Sequence, residues 1–166
     1  GGRPVVSANE LRLPAGEKVA VSITSPDVIH SFWIPALGGK MDAIPGRTNR
    51  LVLEATRPGT YRGACAEYCG TSHALMAVSA VAMEPEAFSG WLAGQARPAA
   101  GVRGEGGTLF LKHGCGACHR IAGTGANGEV GPDLSRLGSR PTIGAGALPN
   151  TQEAMEGFIR GSDAGK

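Results

Sequence analysis

Hydrophobic and polar positions alternate along much of the first half of the chain. In Lys18–Ser25 (KVAVSITS), Val19, Val21 and Ile23 alternate with small or polar residues. That period of two predicts a half-buried strand. Arg50–Thr56 (RLVLEAT), Thr60–Ala64 and Met76–Met83 (MAVSAVAM) predict three more, with Met76 at the head of the last. Pro14-Ala15-Gly16, Pro45-Gly46 and Pro58-Gly59 supply turns between them. Short strands at this spacing imply an antiparallel sandwich.

The period then changes. Pro85–Gln95 (PEAFSGWLAGQ) puts Phe88, Trp91 and Leu92 on one helical face, with Pro85 at a favourable first position. Residues 96–107 (ARPAAGVRGEGG) have no hydrophobic period and read as a linker. Thr108–His113 reads as the end of a helix running into CGACH, and 121–149 as loop-rich. Thr151–Arg160 (TQEAMEGFIR) predicts an amphipathic helix, N-capped by Thr151 and carrying Arg160 in its last turn. The expected domains are therefore 1–95, the linker 96–107, and 108–166.

Composition narrows the function classes. Of 166 residues, 42% are hydrophobic, 18% are charged, and the net charge is +2. This balance gives no case for nucleic-acid binding. No apolar run reaches the ~20 residues needed to cross a bilayer, and no signal-peptide pattern is present. The four cysteines form two close pairs, Cys65/Cys69 and Cys115/Cys118, each with a histidine soon after. A disulfide framework would spread its cysteines, so these pairs read as cofactor sites.

The first pair lies in Cys69-Gly-Thr-Ser-His73-Ala-Leu-Met76. Thiolate, imidazole and thioether together suit copper in electron transfer. A mononuclear site needs a second histidine, which His30 can supply. Cys65 is then one thiolate too many. Two thiolates four residues apart can bridge two copper ions instead. A tetrahedral zinc site from Cys65, Cys69, His73 and His30 is the competing reading. A redox disulfide fits less well, because the spacing is not C-x-x-C.

The segment VIHSFWIPALGGKMDAIPGRTN (Val28–Asn49), followed by CAEYCGTSHALM (Cys65–Met76), resembles cytochrome c oxidase subunit II. The resemblance implies a mainly β architecture: a cupredoxin-like Greek-key β-sandwich around a dinuclear CuA centre. By it, Cys65 and Cys69 bridge both coppers. His30 and Met76 complete one copper; His73 and the Glu67 backbone carbonyl complete the other. The Glu67 side chain would sit where the family binds magnesium at the boundary with subunit I. Trp33 reads as core packing. Asp42 and Arg47 read either as a local salt bridge or as contacts to subunit I.

Cys115-Gly-Ala-Cys118-His119 is the C-x-x-C-H pattern of c-type haem attachment. Both thiols would bond the haem, and His119 would be its axial ligand. Gly131-Pro132-Asp133-Leu134 resembles the cytochrome loop whose proline carbonyl accepts from that histidine. This part is expected to be a small, incomplete all-α cytochrome c domain. Met155 reads as core beside Phe158 and Ile159, and His113 is too near the attachment site to reach the opposite face. The sixth haem ligand is therefore expected outside the chain.

These readings imply an electron-transfer fragment of subunit II of a caa-type terminal oxidase. Electrons would pass from cytochrome c or a similar donor to haem c, CuA and then haem a of subunit I, where oxygen is reduced. Partners would be subunit I and the other membrane subunits. The location would be the periplasmic or outer face of a bacterial membrane, with an anchor preceding Gly1. Alternatives are the CuA portion of a nitrous oxide reductase, a stand-alone soluble CuA/haem c carrier, and a zinc module.

Overall fold

The computed structural model describes residues 4–99, 101–102 and 104–161. Among the described residues, nine strands run in chain order: β1 (Glu10–Pro14), β2 (Lys18–Ile23), β3 (His30–Trp33), β4 (Met41–Ala43), β5 (Asn49–Glu54), β6 (Gly59–Cys65), β7 (Ala77–Met83), β8 (Thr142–Ile143) and β9 (Leu148–Pro149). Three helices join them: α1 (Pro85–Ala96), α2 (Glu105–Lys112) and α3 (Gln152–Arg160). No helix among the described residues is long and apolar enough to cross a membrane.

Contacts divide the chain into two compact units. One joins 9–88 with 141–166; the other joins 1–8 with 89–140. In the first, a five-stranded sheet has the order β1-β7-β6-β3-β4, and β2 pairs with β5 in a second sheet. Only β1 and β7 run parallel within the larger sheet. The two sheets close over Leu13, Ile34, Leu37, Leu53, Ala55, Ala80 and Ala82. Leu13 and Leu53 are fully buried. This is the expected β-sandwich.

Alternation explains the strands. Val19 and Val21 are half-buried and Ile23 is buried, while Lys18, Ala20 and Ser22 face out. Gly63 sits mid-strand in β6 because the backbone of Trp33 passes there. A Cβ on Gly63 would lie 2.4 Å from the Trp33 carbonyl oxygen and 2.7 Å from Ile34 Cγ1.

Several expectations need correction. Trp33 is 39% exposed at the last position of β3, although Ser31 on the same face of the strand is buried, so it is not core packing. β7 begins at Ala77, so Met76 precedes the strand. α2 starts at Glu105, inside the stretch read as linker. Ala100 and Arg103 of that stretch lie outside the described residues. Phe158 and Ile159 are exposed and Met155 is half-buried, so α3 contributes no buried residue to a core.

The second unit is tied by an arginine. α1 has no basic residue in its last turn. Arg136 Nη2 reaches back to donate to the carbonyls of Gln95 (3.2 Å) and Arg97. It satisfies acceptors that a helix end leaves open.

Candidate metal centre and haem-attachment loop

Two chain segments, the Cys65–Met76 loop and the start of β3, meet at one end of the sandwich. β6 ends on Cys65, and the chain turns through Glu67 and Cys69. A single 3₁₀ turn, His73–Leu75, follows and delivers Met76. His30 opens β3, which pairs with β6 through Phe32 and Cys65. The two segments are pinned by backbone bonds from Cys65 N to Met76 O (3.0 Å) and from Ala66 N to Ser31 O (2.8 Å).

The donors converge. Cys65 Sγ and Cys69 Sγ are 3.8 Å apart. His30 Nδ1 lies 3.8 Å from Cys65 Sγ, and His73 Nδ1 lies 3.6 Å from Cys69 Sγ. Met76 Sδ is 3.9 Å from Cys69 Sγ. The Glu67 carbonyl oxygen is 3.2 Å from Cys65 Sγ. Among the described residues, His30, Cys65 and Cys69 are the one group of histidine, cysteine or carboxylate donors close enough to share a metal. A cavity of about 310 Å³ opens beside them, lined in part by His30, Cys65, Met76 and Ala77.

The donor set fits a soft, electron-transfer metal. Zinc in a structural site takes four ligands, almost always from cysteine, histidine and carboxylate. Here a thioether and a carbonyl crowd the same thiolates as well. Sulfur-rich sets with imidazole select copper.

The two thiols sit in different electrostatic surroundings. Burial pushes the Cys65 thiol up, but backbone contacts at Glu67 and Ser31, with His30 and Cys69, outweigh it and bring it down to about 6. Cys69 is pushed up by burial and by its neighbour Cys65. Cys65 therefore ionises more readily than Cys69.

Asp27 is a residue that the sequence reasoning missed. Its Oδ1 lies 3.0 Å from His30 Nε2 and accepts from Ser25 Oγ at 2.8 Å. Ser25 and His30 hold its carboxyl at about 2. The available signal was the spacing Asp-x-x-His in a turn.

Asp42 accepts from Ser31 Oγ at 2.8 Å rather than from Arg47, and no Asp42–Arg47 ion pair is present among the described residues. Of the two readings, the local salt bridge is therefore not formed, and Asp42 instead bonds a buried serine. The Glu67 side chain is exposed and joins no group of metal-ligand donors there, so magnesium finds no support.

The Cys115-Gly-Ala-Cys118-His119 loop, the candidate for haem attachment, lies in the other unit. α2 ends at Lys112, and exposed His113 caps it. A 3₁₀ turn, Cys115–Ala117, brings Cys118 and His119 back under it, with His119 N donating to Cys115 O at 3.0 Å. His119 Nδ1 lies 2.9 Å from the Pro132 carbonyl oxygen. This bond fixes the ring and leaves Nε2 free to ligate iron. Gly131 must be glycine here: a Cβ would lie 2.4 Å from His119 Cε1.

Comparison with known proteins recognises both halves of the chain. Residues 3–83 match the profile of the cytochrome c oxidase subunit II periplasmic domain, and residues 104–164 match that of cytochrome c. The chain belongs to the cytochrome c oxidase subunit II family and carries a cytochrome c domain after the copper-type domain. Cytochrome c oxidase subunit 2 of Alkalihalophilus pseudofirmus is 40% identical over 158 residues, covering 93% of this chain and 45% of that protein. Subunit 2 of Branchiostoma floridae is 47% identical over 83 residues, covering 50% of this chain and 36% of that protein. The chain thus spans less than half the length of these relatives. The crystal structure of the periplasmic domain of oxidase subunit II from Bradyrhizobium japonicum superposes with a TM-score of 0.51 at 39% identity. That match covers 52% of this chain and 63% of the other. The fold of the first half is cupredoxin-like, and the family implies copper and haem c.

Proposed function

We propose that the chain is the electron-transfer portion of subunit II of a respiratory haem-copper terminal oxidase. It would take electrons from cytochrome c or a similar donor and deliver them to subunit I, where oxygen is reduced. Its setting would be the periplasmic or outer face of a bacterial membrane.

The observation that carries this reading is the convergence of two thiolates, two imidazoles, a thioether and a carbonyl at one end of the sandwich. Cys65 and Cys69 would bridge two coppers. His30 and Met76 would serve one, His73 and the Glu67 carbonyl the other. Cys115 and Cys118 would bond haem c, with His119 as axial ligand. When bound, these groups supply one-electron donors and acceptors. The chain's part is to hold both ring orientations. Asp27 fixes His30 and the Pro132 carbonyl fixes His119. A rigid ligand frame keeps geometry nearly constant on electron gain, which favours fast transfer.

The test is an optical spectrum of the chain loaded with copper and haem. Purple mixed-valence copper absorption together with c-type haem bands is the expected result. Stoichiometric zinc, with neither signal after copper loading, would overturn the reading. It would also favour the zinc module.

A further inference from the structure

The hairpin formed by β8 and β9 makes contacts that the proposed function leaves unused. It comes from the far end of the chain, yet it belongs to the compact unit that holds the copper-type ligands. At its tip, Gly144, Ala145 and Gly146 all have positive φ (58°, 56° and 82°). Alanine rarely adopts that conformation, so something holds the tip there.

What holds it is the strand that follows Met76. β1 pairs with β7 only from Ser79 onward, so its ladder stops short of Ala77. At Asn9 the chain turns off with φ 57°, and its side-chain Nδ2 donates to Ala77 O at 3.1 Å. The Ala77 amide donates instead to Ala145 O at 2.8 Å. The hairpin tip therefore completes the edge that β1 leaves open. Gly146 presses on the same residue, since a Cβ there would come within 3.1 Å of Ala77 Cβ. Arg62 Nη1 donates to Gly146 O at 3.3 Å.

Met76 is the residue immediately before Ala77. Its amide donates to His73 O (3.2 Å) and its carbonyl accepts from Cys65 N (3.0 Å). Its side chain has three rotatable bonds and a weakly binding thioether. The sulfur's place over a metal thus depends on how firmly the backbone is held.

We propose that the Gly144–Gly146 hairpin tip is a positioning strap for the Met76 ligand, clamping the backbone of Ala77 through the Ala145 carbonyl. The proposal rests on the copper reading given above. The strap makes the weakest copper ligand answerable to the distal end of the chain. Loosening the tip frees the backbone on the Ala77 side of Met76, while Cys65 keeps a second tie to β3 through the bond from Ala66 N to Ser31 O (2.8 Å).

The test uses the full chain and two readouts. In metal-free protein, amide hydrogen exchange is measured at Ala77. In copper-loaded protein, the Met76 ε-methyl resonance is followed by NMR. In the wild-type chain Ala77 is expected to be as protected as Ser79. Gly146→Val drives a side chain into Ala77 and is expected to speed its exchange at least ~10-fold while Leu53 stays unchanged. The same variant is expected to shift the Met76 methyl resonance. Arg62→Ala, which removes a surface anchor of the tip, is expected to act in the same direction more weakly, and serves if Gly146→Val does not fold. A wild-type Ala77 amide exchanging like a free loop, beside a normal purple copper signal, overturns the strap alone. So does a variant that frees Ala77 and leaves the Met76 resonance in place. A wild-type chain that takes up no copper overturns the copper reading beneath it.

Discussion

His30 uses its two ring nitrogens in opposite directions: Nε2 meets Asp27 Oδ1 at 3.0 Å, and Nδ1 faces Cys65 Sγ at 3.8 Å. A proton kept on Nε2 for Asp27 leaves the Nδ1 lone pair for a metal. Ser25 Oγ, which donates to Asp27 Oδ1 at 2.8 Å and accepts from the Asp27 amide at 3.3 Å, keeps the carboxylate in place. Asp27→Asn is therefore expected to weaken copper binding about 10–100-fold. Competition against a chelator of known affinity measures it. An unchanged affinity would contradict the role of Asp27.

The two copper-loop thiols should titrate apart in the metal-free chain. Cys65 is brought down to about 6 from the ordinary 9.0, while Cys69 is raised. Iodoacetamide labelling followed by peptide mapping should show Cys65 reacting with a midpoint near its lowered value. Cys69 should react only at more alkaline pH. The linkage has a definite sign. A thiol ionising more readily in the folded chain adds stability that is fully present above 9.0 and is lost as pH falls through about 6. Equal midpoints for the two cysteines would contradict the asymmetry.

Gly131 is expected to tolerate no side chain. In Gly131→Ala the new Cβ meets the His119 ring at 2.4 Å, so the ring or the loop must shift. The cost should be roughly 1–3 kcal/mol, typical of forcing a methyl into packed structure. Thermal unfolding followed at the haem absorption band reports it. A variant with wild-type melting and wild-type haem bands would contradict the crowding.

The sandwich core sets a separate scale. Leu53 is fully buried between the sheets, and Leu53→Ala should cost about 2–5 kcal/mol. Thr151 caps α3 by accepting from Ala154 N at 3.2 Å, and Thr151→Ala should cost only about 0.5–2 kcal/mol. Urea unfolding of both variants checks the ranking. A Leu53 variant no less stable than the Thr151 variant would place the core elsewhere.

How much of this was legible in sequence depended on period and length. β2, β5, β6 and β7 were readable because alternation over six or seven residues has few other meanings. α3 was readable from its cap. β3 and β4 were not, because strands of four and three residues carry no alternation and exist through pairing with their neighbours. The end of α2 was readable ahead of CGACH, but its start hid because its first turn is Glu105-Gly106-Gly107, a poor helix former. The copper-type donors were legible because Cys65, Cys69, His73 and Met76 share one short loop. Asp27 was not, since a carboxylate in a turn reads as surface until His30 is seen beside it. The hairpin on Ala77 was invisible for the same reason: its bond joins backbone atoms 68 residues apart, and backbone atoms carry no sequence signature.

The most direct test of the central claim is electron paramagnetic resonance of the copper-loaded, oxidised chain, combined with copper analysis per polypeptide. If Cys65 and Cys69 hold a copper pair as proposed, the chain would carry two coppers and one unpaired electron coupled equally to both nuclei. That is the expected result, lost in Cys65→Ser and in Cys69→Ser. A single copper per chain, or an electron confined to one nucleus, would contradict it.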